Sequence, residues 1–97
     1  MTIRITCINK DGGNHENPNV AISHLGWTED SSNKSGKTTR LQIYDWIKNQ
    51  NVKAYVRDGD GNTAWVGTAE TAAGTKYLRT YSNGVWTDNL LSLLECR

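Results

Sequence analysis

Apolar and polar side chains alternate at the start of the chain. Ile3-Arg4-Ile5 places isoleucine at every second position, and an apolar residue returns at Ile8. A period of two is typical of a strand with one buried face, because successive side chains of a strand point to opposite sides. The pattern predicts a first strand from Ile3 to Ile8. Residues 9–18, rich in Asn, Asp and Gly, are typical of a loop.

Two weaker patterns follow. Four apolar residues lie between Val20 and Trp27 at a spacing that fits either a helical turn or a strand, and we favour an extended segment. Residues 29–37 contain no aliphatic side chain and are rich in Ser and Asn. This composition predicts an exposed, flexible loop.

A helix is predicted from about residue 39 to residue 48. Thr39 and Gln42 have the spacing of a capping box, in which each side chain satisfies a free backbone amide at the other end. An apolar stripe at positions i, i+3 and i+4 follows and gives the helix one buried face. It consists of Ile43, Trp46 and Ile47.

The second half of the chain has the pattern of a meander. Strands are predicted at Val52–Arg57, Thr63–Glu70 and Lys76–Tyr81, separated by turn-forming residues. Asn83-Gly84 is a further turn signal. After it, a short strand or helical turn is expected to close the core with the apolar residues Val85, Trp86, Leu90, Leu91, Leu93 and Leu94. The resulting fold class is α+β, with a single antiparallel β-sheet formed by this three-stranded meander plus the N-terminal strand. One helix packs on one face of the sheet.

Composition limits the classes of protein that remain. With 97 residues, of which 36% are hydrophobic, residues 1–97 form a single domain. A formal net charge of +1 excludes a histone-like polycation, so any electrostatic effect is local. The apolar runs are too short to span a bilayer, and the N-terminus lacks the apolar centre of a signal peptide. We therefore expect a cytoplasmic protein with no membrane contact.

Two motifs match known ligand loops only in part. Ser35–Thr39 resembles the end of a phosphate-binding loop, but the first glycine of that motif falls at Ser31 and no buried strand precedes it. Asp58–Asn62 begins like a calcium loop, but Thr63 stands where glycine is required and Ala69 where a bidentate glutamate is required. We interpret the first as a loop leading into a helix and the second as a hairpin turn.

The two cysteines leave several chemistries open. Cys7 and Cys96 could form a disulfide, bind a metal together with His24 or His15, or remain as two buried thiols. We favour reduced thiols, because the spacing is not a zinc signature and a cytoplasmic location disfavours a disulfide. A Cys and His pair could also act as a nucleophile, but no catalytic motif is present. We predict a protein that is not an enzyme, without cofactor or metal.

Alternation sorts the meander into two different faces. One face carries the aliphatic residues Val52, Ala54, Val56, Ala64, Val66 and Leu78, and we expect it to meet the helix. The other carries cations interleaved with aromatic rings: Lys53, Tyr55, Arg57, Trp65, Tyr77, Arg79 and Tyr81. Aromatic planes stack on unpaired bases, and cations follow the phosphate backbone. Alternatively, these rings stabilise an ordinary solvated sheet or lie beneath the leucine-rich C-terminus.

Several blocks of residues resemble a known family. They are Ile5–Ile8, Asn17-Pro18, Ile22–Gly26, Thr75–Thr80, Asn83-Gly84, Asp88–Leu93 and Glu95-Cys96. These blocks resemble the family catalogued as domain of unknown function 3892. The chain departs from the family pattern at Asn19, where a histidine is common, and at Leu94, where a proline is common. The first departure weakens a metal site built on Cys7, His24 and Cys96.

The resemblance implies neither an enzyme nor a cofactor. Members are small bacterial and phage-borne proteins, which raises the possibility of an accessory or anti-defence role. The leading hypothesis is a non-enzymatic binding module for single-stranded nucleic acid, or for a protein that handles nucleic acid, such as an anti-CRISPR-like inhibitor of a bacterial nuclease. The alternative is a small metal-stabilised structural domain.

Overall fold

The computed structural model describes residues 1–11, 18–57, 61–82, 85–87, 90–91 and 93–96. The described part of the chain contains seven strands, one α-helix and a short 3-10 helix at Pro18–Ala21. In chain order the other elements are β1 Thr2–Lys10, β2 Ile22–Glu29, β3 Ser35–Thr39, α1 Arg40–Asn49, β4 Lys53–Arg57, β5 Thr63–Glu70, β6 Lys76–Ser82 and β7 Val85–Thr87.

All seven strands belong to one mixed sheet, in the order β3-β2-β1-β4-β5-β6-β7. The pair β1 and β4 is parallel, with Ile3 opposite Ala54, and the other neighbouring strands are antiparallel. The α+β class is correct, but the expected single antiparallel sheet of four strands is wrong. The physical reason is α1, which carries the chain from the edge strand β3 back to the free side of β1.

Most local predictions are confirmed. The meander strands lie within one residue of their predicted bounds. Of the segment Val20 to Trp27, which we favoured as extended, residues 22–27 belong to β2, whereas Val20 and Ala21 belong to the 3-10 helix. The helix is capped as predicted, since the Thr39 Oγ1 atom accepts a hydrogen bond of 3.3 Å from the backbone amide of Gln42. The predicted loop at residues 29–37 is too long, because β3 begins at Ser35. An edge strand with polar residues on both faces has no hydrophobic alternation by which sequence could reveal it.

One face of the sheet holds the core, and we call it the inner face. The aliphatic residues predicted for this face are all buried: Val52, Ala54, Val56, Ala64, Val66 and Leu78. The isoleucines of β1 and the helix residues Ile43 and Tyr44 belong to the same cluster, with Trp46 and Ile47 packed against it. Leu90 is also fully buried there. The predicted contact between this face and the helix is therefore confirmed.

The sheet curves around α1, because the helix contacts β2 and β3 on one side and β5 and β6 on the other. Arg40 holds these two sides together. Its guanidinium donates hydrogen bonds to the carbonyl oxygens of Val20 and Ile22 and, at 3.0 Å, to that of Lys76. Hydrogen bonds from a charged donor are stronger than those between neutral groups, so Arg40 fixes the curvature. The opposite, convex side of the sheet is the outer face.

Cys7 and Cys96 form a disulfide, which corrects the expectation of two reduced thiols. The C-terminal segment lies beside β1 beyond the end of β4, where the Ile8 amide donates to the Leu94 carbonyl and the Cys96 amide donates to the Ile8 carbonyl, each at 3.0 Å. This placement brings the two cysteines together across 89 positions of sequence. It depends on a non-local pairing, which local sequence patterns do not reveal.

Candidate ligand-binding face

A row of side chains crosses the outer face at right angles to the strands. Arg4 pairs with Tyr55, Tyr55 with Trp65, and Trp65 with Tyr81, each on the neighbouring strand. Residues that pair across neighbouring strands project from the same side of a sheet. The register therefore places one arginine and three aromatic residues side by side on four adjacent strands.

All seven residues predicted for the binding face project from this outer face, because they alternate with buried residues on the same three strands. Their accessibility differs. Trp65 is 41% exposed and Tyr81 is 38% exposed. Lys53 and Arg57 are also exposed, whereas Tyr77 and Arg79 are half-buried. The accessible members thus concentrate around the pair formed by Trp65 and Tyr81.

Tyr55 is buried at 7% exposure, although it lies on the same face. Its ring packs edge-on against Trp65, with 5.7 Å between ring centroids, and the Arg57 guanidinium lies 5.7 Å from the Tyr55 centroid. Its hydroxyl donates to the carboxylate of Asp30, whose oxygens lie 2.9 and 3.0 Å away. Tyr55 therefore presents no open plane to a ligand and instead holds Trp65 and Arg57 in position.

The environment of Tyr55 raises the pKa of its hydroxyl above the usual 10.0, first through burial and then through the hydrogen bond to Asp30. Because the pKa of this hydroxyl is higher in the folded than in the unfolded state, its protonated form stabilises the fold. This stability is fully present below the pKa of the unfolded state and is lost as the pH rises through the pKa of the folded state. We expect Tyr55→Phe to cost about 1 kcal/mol at neutral pH. In chemical denaturation experiments, the difference in free energy of unfolding between this variant and wild type should become smaller above about pH 10. A pH-independent difference would contradict this account.

Two contributors to this surface were missed by sequence reasoning. Arg4 is exposed beside Tyr55, and Asp30 accepts the Tyr55 hydroxyl. The alternation in Ile3-Arg4-Ile5 did place Arg4 on the polar face of its strand. Only the parallel pairing of β1 with β4 adds it to the aromatic row, and nothing local in the sequence predicts that pairing. Asp30, in the turn after β2, gave no signal at all.

A cavity of about 300 Å³ adjoins the exposed pair. Its lining combines the outer-face residues Lys53, Trp65 and Tyr81 with the inner-face residues Ala54 and Val66. The ladder between β4 and β5 comprises three residue pairs and ends at Tyr55 and Trp65. The cavity therefore lies where β4 and β5 diverge, because residues of both faces line it and it adjoins the end of this ladder. The side chains of Ile47 and Val52 complete its apolar wall.

The alternative of a metal site on Cys7, His24 and Cys96 loses its ligands, because the two sulfur atoms are bonded to each other and cannot act as thiolates. The His24 Nδ1 atom lies 3.1 Å from the Ser23 hydroxyl oxygen. Within the described ranges, no group of three or more His, Cys, Asp or Glu side chains could hold a metal ion. His15 and the loop residues Asp58-Gly59-Asp60 lie outside those ranges, as does the turn Asn83-Gly84.

The segment that resembles a phosphate-binding loop is a strand. Ser35 pairs with Thr28, Gly36 with Trp27 and Lys37 with Gly26, so this segment continues the sheet and does not form a cradle around an anion. The interpretation of this segment as a loop is therefore wrong, whereas its role in leading into the helix is confirmed by the cap at Thr39.

A polar cluster surrounds the hydroxyl of Tyr44, whose side chain is buried at the boundary between the core and the surface. Its hydroxyl donates to Glu70 at 3.2 Å and accepts from Lys48 at 3.1 Å, and the Lys76 Nζ atom lies 5.6 Å from the ring centroid. The Tyr44 hydroxyl thereby joins a carboxylate on β5 to an ammonium group on α1. The cluster ties α1 to the hairpin of β5 and β6.

The structure defines a small α+β protein with a curved mixed sheet, whose convex face carries exposed aromatic rings among cations. The chain belongs to the family described as "Protein of unknown function (DUF3892)", whose model matches residues 4–94. The resemblance noted from the sequence blocks is thus confirmed. No curated protein and no solved structure matches the chain. None of the helices in the described ranges has the length and apolar character needed to cross a bilayer.

Proposed function

We propose that this protein is a non-enzymatic binding module that engages single-stranded nucleic acid through its outer face. One observation carries the proposal. Trp65 and Tyr81 lie side by side on neighbouring strands and are both exposed, with the exposed cations Lys53 and Arg57 beside them on β4. Rings supply stacking planes and cations supply attraction for phosphates, which is the combination that single-strand binding needs.

A single strand fits this surface better than a duplex. Aromatic side chains stack on the flat faces of bases, and these faces are accessible only where the bases are not stacked on each other. The two exposed rings would contact base faces and not base edges. Each base stacked on a ring contributes about 1 to 3 kcal/mol with little sequence preference. We therefore expect binding with a weak dependence on sequence.

Electrostatics should contribute a modest share of the affinity. The formal net charge is only +1, so attraction depends on the local cations Arg4, Lys53 and Arg57. Neutralising two or three phosphates of a single strand gives a slope of roughly −1.4 to −2.1 in log affinity against log salt concentration. Such a slope is shallow compared with that of a strongly basic protein, which matches the balanced composition.

The test is a titration of labelled single-stranded oligothymidine and oligouridine with the 97-residue protein, at about 50 and about 200 mM salt. Wild type should bind both, more weakly at the higher salt. Trp65→Ala should weaken binding by roughly 5- to 150-fold, which corresponds to the loss of one stacked base. Trp65→Phe, which keeps a ring, should retain most of the affinity.

Controls separate binding from folding. Lys53→Ala should weaken binding, whereas Lys34→Ala removes an equally exposed lysine beside the edge strand β3 and should have no effect. Melting temperatures should stay unchanged for both lysine variants. Failure of wild type to bind any oligonucleotide would overturn the proposal, and capture of a nuclease-type protein through Trp65 would then favour a protein partner.

We also propose a cytoplasmic location, and it has a consequence for the disulfide. A reducing cytoplasm keeps most cysteine pairs as thiols. The outer-face residues Trp65 and Tyr81 lie on β5 and β6, whereas Cys7 lies on β1. We therefore expect oligonucleotide binding in both redox forms.

A further inference from the structure

The cavity between β4 and β5 has the features of a site for one flat ring. Its inner wall is aliphatic, formed by Ile47, Val52, Ala54 and Val66, and two aromatic side chains, Trp65 and Tyr81, also line it. Trp and Tyr rings stack on flat aromatic groups, and an aliphatic wall packs against the weakly solvated face of such a group. The ligand group that fits is therefore a heteroaromatic plane.

Charge at the mouth adds a second requirement. Lys53 lines the cavity and is exposed, and Arg57 and Arg4 lie on the same outer face close by. These three cations lie near one carboxylate of this row, Asp30, which accepts the Tyr55 hydroxyl. The surroundings therefore favour a ring that carries an anionic group. A nucleobase attached to its sugar phosphate combines both properties.

Size limits the occupant to one unit. Ligand cavities range over about 300 to 1,000 Å³, and this cavity lies at the lower limit with about 300 Å³. The parting of β4 and β5 sets that size, since their ladder ends at Tyr55 and Trp65. A volume of this size suits a single nucleobase.

We propose that this cavity captures one unstacked base of the bound strand, with the phosphate of that nucleotide at Lys53. The inference rests on the proposed binding of single-stranded nucleic acid and adds a defined pocket to the stacking surface. A strand bound by stacking on the outer face alone would not need the cavity. If the strand inserts one base, its affinity depends on the free volume of the cavity. A free mononucleotide should then compete with the strand for the cavity.

The experiment fills the cavity from its aliphatic wall and substitutes no residue of the outer face. Ile47→Phe adds a ring at the aliphatic wall, and Leu41→Phe adds the same ring on the same helix at a position that is 55% exposed and does not line this cavity. Ile47→Phe should weaken oligothymidine binding by roughly 5- to 150-fold, the contribution of one base. Leu41→Phe should bind like wild type. Uridine and thymidine monophosphates should displace the oligonucleotide from wild type and not from Ile47→Phe.

Each outcome decides between the two proposals. If wild type binds oligonucleotides but mononucleotides do not compete and Ile47→Phe binds normally, the pocket is overturned and the stacking surface stands. If wild type binds no oligonucleotide, both proposals fall. If Ile47→Phe melts at a much lower temperature than wild type, Lys53→Glu and Arg57→Glu replace it, because both residues are exposed on the outer face and of the two only Lys53 lines the cavity. Lys53→Glu should abolish mononucleotide competition and Arg57→Glu should not, and equal effects of the two substitutions would overturn the pocket.

Discussion

Replacing both cysteines, as Cys7→Ala with Cys96→Ala, is expected to lower the melting temperature by roughly 10 to 30 °C. The bond joins residues 89 positions apart and so constrains nearly the whole unfolded chain. Chain-entropy arguments give about 4 to 5 kcal/mol for a loop of this length, and measured contributions are usually about 2 to 4 kcal/mol. In a domain of this size, 1 kcal/mol shifts the melting temperature by roughly 4 to 8 °C.

Reducing agent provides the matched control, because the chain has only two cysteines and both are in this bond. Thermal melts of wild type with and without reductant should differ by about as much as wild type and the double alanine variant. The melting temperature of the double alanine variant should not change when reductant is added. Identical melts of oxidised and reduced wild type, with the redox state verified by mass, would show that the bond contributes nothing to stability.

Gly26→Ala is expected to cost about 2 to 3 kcal/mol, seen as a lower denaturation midpoint with an unchanged slope. A Cβ atom at this position would lie 2.3 Å from the Cys7 sulfur and 3.1 Å from the Cys96 sulfur. Gly26 is on β2 between two paired strands, opposite Cys7 on one side and Lys37 on the other, so its backbone has little freedom to retreat. The joined sulfurs cannot swing away independently either.

A double-mutant cycle identifies the cause of this cost. In the background with alanine at positions 7 and 96, both sulfur atoms are gone and Gly26→Ala should be nearly neutral. The difference between the two backgrounds measures the overlap with the disulfide. An equal cost in both backgrounds would mean that the substitution acts on the strand itself and not on the disulfide.

Local patterns were sufficient for most elements of this fold. The meander strands, the capped helix and the aliphatic inner face follow from spacing alone, because each depends on neighbours within one element or one hairpin. Thr39 at the start of α1 is the clearest case. Its cap is a contact between residues three apart, and sequence displays such contacts directly.

Pairings between residues far apart in sequence could not be predicted from local patterns. The parallel contact of β1 with β4 joins residues about 50 positions apart, with α1 in the connection between them. Nothing in the sequence of either strand therefore indicates its partner. The disulfide depends on the C-terminal segment lying beside Ile8, which is again a pairing between distant residues. Both features change the candidate site, since the first adds Arg4 to the aromatic row and the second removes the thiols as ligands.

The candidate surface shows the same division. Alternation placed all seven predicted residues on one side of the sheet, yet it could not distinguish Tyr55 from Trp65, which have equivalent positions on neighbouring strands. Burial separates them. Tyr55 is covered because Asp30 and Arg57 converge on it, whereas Trp65 stays accessible. The cavity between β4 and β5 depends on where a ladder ends, which no periodicity indicates.

The bond between Cys7 and Cys96 closes residues 7–96 of the oxidised chain into a covalent ring. A protease that cuts once inside the ring yields two peptides that stay attached to each other. Mechanical force applied to the chain outside the ring, on either side, acts on the sulfur bridge, and the ring itself carries no load until that bridge is cleaved.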